Sequence, residues 1–202
     1  YNIGRVLGAI DALGLRKNTL IIFASDNGAA VMAPVKTLNC GGGLKGHKGQ
    51  LYEGGIKVPL IVNQPGMVPV QRLKDIVCFA DFMPTLAAIT GSTKALPHDI
   101  DGMDISPLFY GKKVDTDHRY IYWEFPGKQR AIRYADWKAE SIGRNHPIEL
   151  YNITKDPFEK NNLAAEYPQK VKELDRMMKK MHHPSADWPL PGEPGYVKPV
   201  KK

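Results

Sequence analysis

Cysteine and long apolar runs are scarce in this chain of 202 residues. The two cysteines, Cys40 and Cys78, are far apart in sequence and form no C-x-x-C pair, so neither a zinc ribbon nor a disulfide scaffold is indicated. No apolar run approaches the roughly 20 residues that a membrane-spanning helix requires. We therefore expect a globular chain with free thiols and no membrane partner.

Two common enzyme motifs are also missing. The segment Gly46-His47-Lys48-Gly49 lacks the Gly-Lys-Ser/Thr of a phosphate-binding P-loop, and no G-x-S-x-G nucleophile elbow occurs. The formal net charge of +7 favours anionic partners. Because Lys and Arg are spread along the chain, no nucleic-acid-binding arm or stripe is indicated. An acidic glycan or a sulfate ester would fit this charge.

The first half of the chain alternates helical and strand patterns. Apolar residues from Ile3 to Leu13 recur at helical spacing, and Gly14 is a stop signal. Short apolar runs at 19–24 and 58–62 predict buried strands. Asp81 is positioned to cap a helix through Ile89, with Gly91 as the stop signal. This order of elements predicts an α/β unit.

The pattern changes near residue 112. Short strand-like runs separated by turn residues predict a small antiparallel sheet, at 120–123, 131–134, 137–139 and 149–151. A terminal helix follows, with Pro168 in its first turn and an apolar stripe formed by Val171, Leu174, Met178 and Met181. We expect this helix to cover the sheet. The Pro-rich segment from Pro189 predicts an extended tail.

Two polar segments carry the candidate chemistry. Asp26 and Asn27 follow the strand at 19–24, and their side-chain oxygens are the kind that calcium prefers, although such a sequence can also simply end a strand. Lys48 lies between glycines, which allow backbone to approach an anion closely while the ammonium neutralises an oxygen. Residues 28–57 lack a sustained period and predict a long active-site loop.

Three landmarks together resemble the sulfatase family of the alkaline-phosphatase superfamily, in particular bacterial-type arylsulfatases and carbohydrate sulfatases. They are L-K-G-H-K-G-x-x-Y-E-G-G-I-K-V-P at 44–59, D-G-M-D-I-S-P-L at 101–108 and E-L-Y-N-I-T-K-D-P-F-E-K-N-N-L-A at 149–164. The resemblance implies an α/β fold. Residues 1–112 would form the C-terminal part of a mixed-sheet sulfatase domain, 113–188 a small α+β domain with an antiparallel sheet and a C-terminal helix, and 189–202 the tail.

The resemblance also implies roles for individual residues. Asp26 and Asn27 would be calcium ligands, and Lys48 would contact the substrate sulfate and the nucleophile. Other candidates come from the residues themselves and not from the resemblance. His47 would either touch substrate or hydrogen-bond the loop that presents Lys48. Trp123 and Glu124 are further candidates for sugar contacts, with core packing as the alternative for Trp123. His182 and His183 follow the last helix and are interpreted as structural.

The sulfatase nucleophile is a formylglycine made from Cys or Ser in C/S-x-P-x-R, and this chain contains no such pattern. The paired aspartates that complete the family's calcium site are also missing. We therefore expect the chain to be the C-terminal portion of a sulfatase, to need the remaining N-terminal part as its partner, and to be inactive alone. The family's glycan-degrading members imply a periplasmic or secreted location. The sequence does not specify the sugar, the sulfate position or the oligomeric state.

Two other functions remain open from the residues. One is a phosphatase, phosphodiesterase or phosphonate hydrolase of the same superfamily, which would differ mainly in its nucleophile and metal set. The other is a non-catalytic module that binds an acidic glycan through its basic loops.

Overall fold

The computed structural model of this chain describes residues 1–30, 38–125, 129–143, 146–185 and 189. The chain divides into two compact units, Tyr1–Ser25 with Pro59–Asp117 and Asp26–Val58 with His118–Lys202. Residues 26–58 therefore group with the second unit, whereas the linear division at 112 placed them in the first. The domain boundary at 112 stays a prediction. Except for Pro189, the expected extended tail lies outside the described residues.

The predicted helices and strands occur in the predicted order, with two further short helices at 53–56 and 106–109. In chain order the elements are α1 (Asn2–Ala12), β1 (Ile21–Ala24), α2 (Glu53–Ile56), β2 (Leu60–Asn63), α3 (Phe82–Thr90), α4 (Ser106–Phe109), β3 (Tyr120–Phe125), β4 (Gln129–Tyr134), β5 (Trp137–Ser141), β6 (Glu149–Asn152) and α5 (Pro168–Met181). The strands predicted to be buried, at 19–24 and 58–62, contain no fully buried residue.

The first unit is built around a short antiparallel strand pair. β1 pairs with β2, with Ile21 opposite Asn63 and Ala24 opposite Leu60. Ile105, Leu108 and Phe109 form a buried cluster, against which apolar side chains from both strands and from α3 pack. The predicted stop at Gly91 is confirmed, because this residue adopts φ 70° after the end of α3.

Asp81 differs from its predicted role as the cap of α3. It is fully buried at the start of the helix, but its carboxylate makes no capping bond to α3. One oxygen accepts the Cys78 backbone N–H at 2.8 Å, and the other accepts the Met103 N–H at 3.0 Å. A buried carboxylate requires such partners, so Asp81 joins two loop segments of the first unit.

The second unit contains the predicted antiparallel sheet and the helix that covers it. The four strands lie in the order β3-β4-β5-β6, each antiparallel to its neighbour. α5 packs on one face of the sheet, because Leu174 and Met178 are fully buried against Ile132, Ala139 and Leu150. The predicted helical stripe is confirmed, since Val171 and Met181 also pack on this core.

The opposite face of the same sheet is buried and polar. Since side chains alternate along a strand, Lys138, Glu140, Glu149 and Tyr151 point away from α5. Lys138 and Glu140 are nevertheless fully buried. Residues 45–53 supply the covering groups, as the contacts below show.

No disulfide joins Cys40 and Cys78 in the structure. Within the described ranges, no helix combines the length and the apolar character needed to cross a membrane.

Candidate active site

Backbone hydrogen bonds join the Ser25-Asp26-Asn27-Gly28 turn to the lysine motif. The Gly28 N–H donates to the Gly55 carbonyl at 2.9 Å, and the Lys48 N–H donates to the Ala29 carbonyl at 2.9 Å. A Cβ added to Gly28 would lie 1.8 Å from the Gly54 oxygen, so only glycine permits this approach. The two segments that the sequence singled out are thus adjacent.

Lys48 lies within a compact segment, residues 45–54, which we call the lysine loop. The loop closes on itself, because the Gly54 N–H donates to the Lys45 carbonyl at 2.6 Å and the Gln50 N–H to the His47 carbonyl at 3.0 Å. Gly46 adopts φ 82°, a left-handed conformation that favours glycine. Lys48 itself is exposed, so its ammonium is accessible to an anion from solvent.

His47 lies against the backbone of its own loop. Its Nδ1 is 2.8 Å from the Lys48 carbonyl oxygen, which requires the proton on Nδ1 for a hydrogen bond. This contact corresponds to the second of the two roles considered for His47, that of supporting the loop. A contact of His47 with substrate stays a prediction.

Asp26 and Asn27 have the oxygen atoms that a site for a hard cation requires, but they supply too few ligands. Asp26 is exposed, and the Asn27 amide nitrogen donates to the Gly28 carbonyl at 3.0 Å. The side-chain oxygens of both residues are of the kind that calcium binds. Calcium takes about six to eight oxygens. Among the described residues, no three His, Cys, Asp or Glu side chains cluster so as to hold a metal. The two residues therefore fit part of a site.

Lys45, at the start of the lysine loop, is bound by the polar face of the sheet. Its ammonium donates to Tyr151 Oη at 2.8 Å and to Glu149 Oε2 at 3.2 Å. It also lies 3.9 Å from the centre of the Tyr52 ring, a cation–π distance. Glu149 Oε2 accepts two further hydrogen bonds, from the hydroxyls of Tyr151 at 2.5 Å and Tyr52 at 3.0 Å.

Glu53, at the end of the loop, enters a fully buried ionic cluster. Lys138 donates to Glu159 at 2.7 Å and to Glu53 at 3.1 Å, while the Glu53 backbone N–H donates to Glu159 at 2.8 Å. Glu140 lies 3.9 Å from the same ammonium. Neither oxygen of Glu140 has a hydrogen-bond partner among the described residues. Three carboxylates thus surround one lysine.

This excess of acidic groups has electrostatic consequences. Burial, opposed by Lys138 and reinforced by Glu159 and Glu149, raises the pKa of Glu140 to about 8. Burial also raises the pKa of Glu159, with Lys138 opposing the shift. For Glu149, burial raises the pKa, but hydrogen bonds from Tyr151, Lys45 and Tyr52 prevail and hold it below its ordinary value. Glu149 therefore remains an anion, while Glu140 takes up a proton near neutral pH.

Trp123 and Glu124 lie on opposite faces of the sheet. Glu124 is on the face covered by α5, where it accepts the Tyr122 hydroxyl and lies 2.5 Å from His182 Nδ1. Trp123 is half-buried on the face of the lysine loop, in the cross-strand row with Ala131, Glu140 and Glu149. The two residues cannot grip one sugar together, and a separate contact of either with substrate stays a prediction. His182 thus contacts a strand of the sheet, and its interpretation as a structural residue stays a prediction.

Sequence reasoning missed the groups that attach the lysine loop to the rest of the unit, and it missed the buried Glu140 beside them. The attaching groups are Lys45 and Glu53 in the loop and Lys138, Glu149, Tyr151 and Glu159 outside it. Alternation of Lys138 and Glu140 around Ala139 is the usual pattern of a strand with a solvent face. One available signal was Glu53 itself, because a carboxylate placed before Gly54 and Gly55 in a tight segment needs a partner.

We compared this chain with protein-family models, curated proteins and solved structures. The sulfatase family model matches residues 1–92. Arylsulfatase A of Homo sapiens is 32% identical over 189 residues, which cover 81% of this chain and 37% of that protein. The chain thus spans a little over a third of the length of this curated relative.

Solved structures agree with the sequence comparison. A protein from work on the metabolism of multiple glycosaminoglycans by Bacteroides thetaiotaomicron superposes with a TM-score of 0.78 and 28% identity, over 88% of this chain and 42% of that one. Another, solved in complex with its substrate D-glucosamine-2-N,6-O-disulfate, gives a TM-score of 0.63 and 26% identity, over 89% of this chain and 37% of that one. The expected alkaline-phosphatase-like mixed α/β fold is confirmed. By sequence and by fold, this chain belongs to the sulfatase family.

Proposed function

We propose that the whole protein containing this chain is a sulfuric ester hydrolase that acts on a sulfated carbohydrate or an aryl sulfate. One observation carries the proposal: the backbone bond from Lys48 to Ala29 holds an exposed lysine beside the Asp26-Asn27 turn. A cationic side chain next to hard oxygen donors suits an ester with several anionic oxygens. The similarity to arylsulfatase A and to a protein bound to a sulfated glucosamine supports sulfate as the anion.

In this proposal Lys48 is the catalytic residue supplied by the lysine loop. Its ammonium contacts a sulfuryl oxygen and stabilises the charge that shifts during cleavage of the ester bond. The surrounding glycines let the backbone approach the substrate, and the bond from Lys48 N–H to Ala29 fixes where the side chain begins. His47 holds the carbonyl of Lys48 and so limits rotation of the loop.

Members of the sulfatase family use a metal ion. We propose that Asp26 and Asn27 hold a calcium ion together with ligands from other parts of the whole protein, since two ligands are too few. A bound divalent cation would supply further positive charge to stabilise the anionic oxygens of the ester. The chain's own contribution is to place both side chains directly after β1, where Gly28 is tied to Gly55.

We also propose that the N-terminal part of the sulfatase is the partner of this chain, and that the 202-residue chain alone does not hydrolyse sulfate esters. Exposed large apolar side chains in the first unit support a covering partner, among them Ile3, Phe23, Ile61 and Met83. The absence of C/S-x-P-x-R from the chain supports its inactivity alone. A periplasmic or secreted location stays a prediction from the family.

The test is the rate of ester cleavage by the whole protein and by the 202-residue chain, with matched aryl sulfate, aryl phosphate and sulfated glucosamine substrates. We expect the whole protein to cleave sulfate esters in preference to the phosphate, and to lose activity on chelation of divalent cations. Preference for the phosphate would favour a phosphatase of the same superfamily. Turnover by the chain alone would refute its proposed inactivity, and glycan binding without any turnover would favour a binding module.

A further inference from the structure

The side chain of Lys45 is fixed only three residues before the exposed Lys48. Its ammonium is bonded to Glu149 and Tyr151 and lies 3.9 Å and 4.9 Å from the ring centres of Tyr52 and Tyr151. Only about a third of the Lys45 side chain is exposed. Such a charge-assisted contact with two aromatic faces holds a lysine far more firmly than a single surface ion pair does.

The loop is also tied to the sheet on the other side of Lys48. The Gln129 side-chain amide donates to the Gly49 carbonyl at 3.0 Å. Further along, Glu53 is bound to Lys138 and Glu159 in the buried cluster. Lys48 is therefore the exposed residue of a short segment whose flanking positions are both attached to the antiparallel sheet.

We propose that Lys45 is a positioning residue for the reaction, which acts by holding the lysine loop on Glu149 and Tyr151 so that Lys48 meets the substrate anion. This inference rests on the proposed role of Lys48 in sulfate ester cleavage. Lys45 differs from Lys48 in that its charge is neutralised by Glu149 and is directed into the sheet. Its effect on the reaction is therefore indirect, through the loop.

The surroundings of Lys45 permit a substitution that removes its bonds to Glu149 and Tyr151, which we call the tether, without leaving a buried charge unsatisfied. In Lys45→Met, Glu149 keeps the hydroxyls of Tyr52 and Tyr151 as hydrogen-bond donors, so the sheet is expected to fold. Lys45→Arg keeps the positive charge and serves as the rescue variant. Lys179→Met is a matched control, because Lys179 is an exposed lysine of the same unit paired only with Asp175 among the described residues.

The experiment makes these three variants in the whole protein and applies two measurements to each. The first is amide hydrogen exchange of a peptide covering residues 44–52, which reports the order of the loop without any substrate. The second is steady-state cleavage of an aryl sulfate. We expect Lys45→Met to exchange faster over this peptide and to lose about tenfold to a hundredfold in kcat, with KM changed little, because a misplaced group loses transition-state contact. Lys45→Arg should recover most of both losses, and Lys179→Met should match the parent protein.

Unchanged exchange and unchanged kcat in Lys45→Met would overturn the inference. Faster exchange with an unchanged kcat would also overturn it, since the tether would then order the loop without positioning Lys48. A parent protein that cleaves no sulfate ester would refute the proposed function instead. In that case faster exchange in Lys45→Met, restored in Lys45→Arg, would support the tether itself.

Discussion

Glu140 is a carboxyl group buried with more acid than base around it. Lys138, 3.9 Å away, is shared with Glu53 and Glu159, and neither oxygen of Glu140 has a hydrogen-bond partner among the described residues. The pKa of Glu140 is raised from 4.5 to about 8, chiefly by burial. Between these values the folded chain keeps a proton that the unfolded chain has released, so stability falls as the pH rises through this window.

Glu140→Gln should remove part of this pH dependence, because glutamine has nearly the same shape and stays neutral. We expect its thermal midpoint to fall less between pH 5 and pH 9. At pH 9 it should exceed that of the parent by at least about 2–4 °C, the shift that about 1 kcal/mol produces in a chain of this size. Differential scanning calorimetry across this range is the measurement. Glu173→Gln, at a more exposed ion pair on α5, should leave the slope unchanged, and an equal slope in Glu140→Gln would contradict the prediction.

Lys138 is the only cation bonded to Glu53 and Glu159 within 3.2 Å among the described residues, and it is fully buried. Among the described residues, Lys138→Met would leave the buried Glu159 without a cation and Glu53 with only the longer contact, 3.7 Å, to the exposed Lys57. We expect a loss of about 3–5 kcal/mol in the free energy of unfolding, measured in urea at pH 8. Lys179→Met should change the same quantity by less than about 0.5 kcal/mol. A loss as small as that of the control would show that the cluster is not ionised as described.

At the scale of the elements, the contact between the Asp-Asn-Gly turn and the lysine loop depends on glycine. Gly28→Ala would place a methyl group 1.8 Å from the Gly54 oxygen, so the turn must move away from the loop. Because this shift separates Asp26 and Asn27 from Lys48, we expect at least about a hundredfold loss of kcat/KM for an aryl sulfate. Gly8→Ala in α1 meets no atom within 4 Å and should leave activity unchanged. Equal activities of the two variants would refute the role of this contact.

The helices and strands were predictable where periodicity was strong. The apolar stripe of α5, the stop at Gly91 and the strands of the antiparallel sheet follow from local sequence, because each pattern repeats within one element. The burial of Lys138 and Glu140 was not predictable, since it depends on a loop some eighty residues earlier that covers what resembles a solvent face. The bond of Asp81 to Met103, 22 residues later, was not predictable for a similar reason. Its bond to Cys78 is local, but it caps the turn at Phe79–Asp81 rather than α3.

The candidate site was predictable to a different degree for each residue. The segment around Lys48 stands out because a lysine flanked by glycines in a long motif has few structural explanations. This segment is hydrogen-bonded to Ala29 and, through Lys45, to Glu149 and Tyr151. These contacts join positions that are distant in sequence, so the sequence alone does not predict them. The role of His47 was not predictable, because the sequence does not show whether its ring bonds to its own loop or points toward the substrate.

For the whole molecule, the structure places the lysine loop with the C-terminal sheet rather than with the strand pair β1-β2. If the whole protein has the proposed sulfatase activity, its C-terminal sheet would support the loop that carries Lys48. Substitutions on the polar face of that sheet are therefore expected to affect turnover as well as stability. The physical basis of that expectation is that the bonds of Glu53, Glu149 and Glu159 attach the loop to the sheet.

The proposed role of Lys48 is tested by kcat/KM for an aryl sulfate in the whole protein, compared between the parent and Lys48→Ala, with Lys179→Ala as the control. If Lys48 stabilises the sulfuryl oxygens in the transition state, its removal should lower kcat/KM by about a hundredfold or more while Lys179→Ala keeps the parent value. If Lys48→Ala retains kcat/KM within a few-fold of the parent, Lys48 does not have the proposed catalytic role.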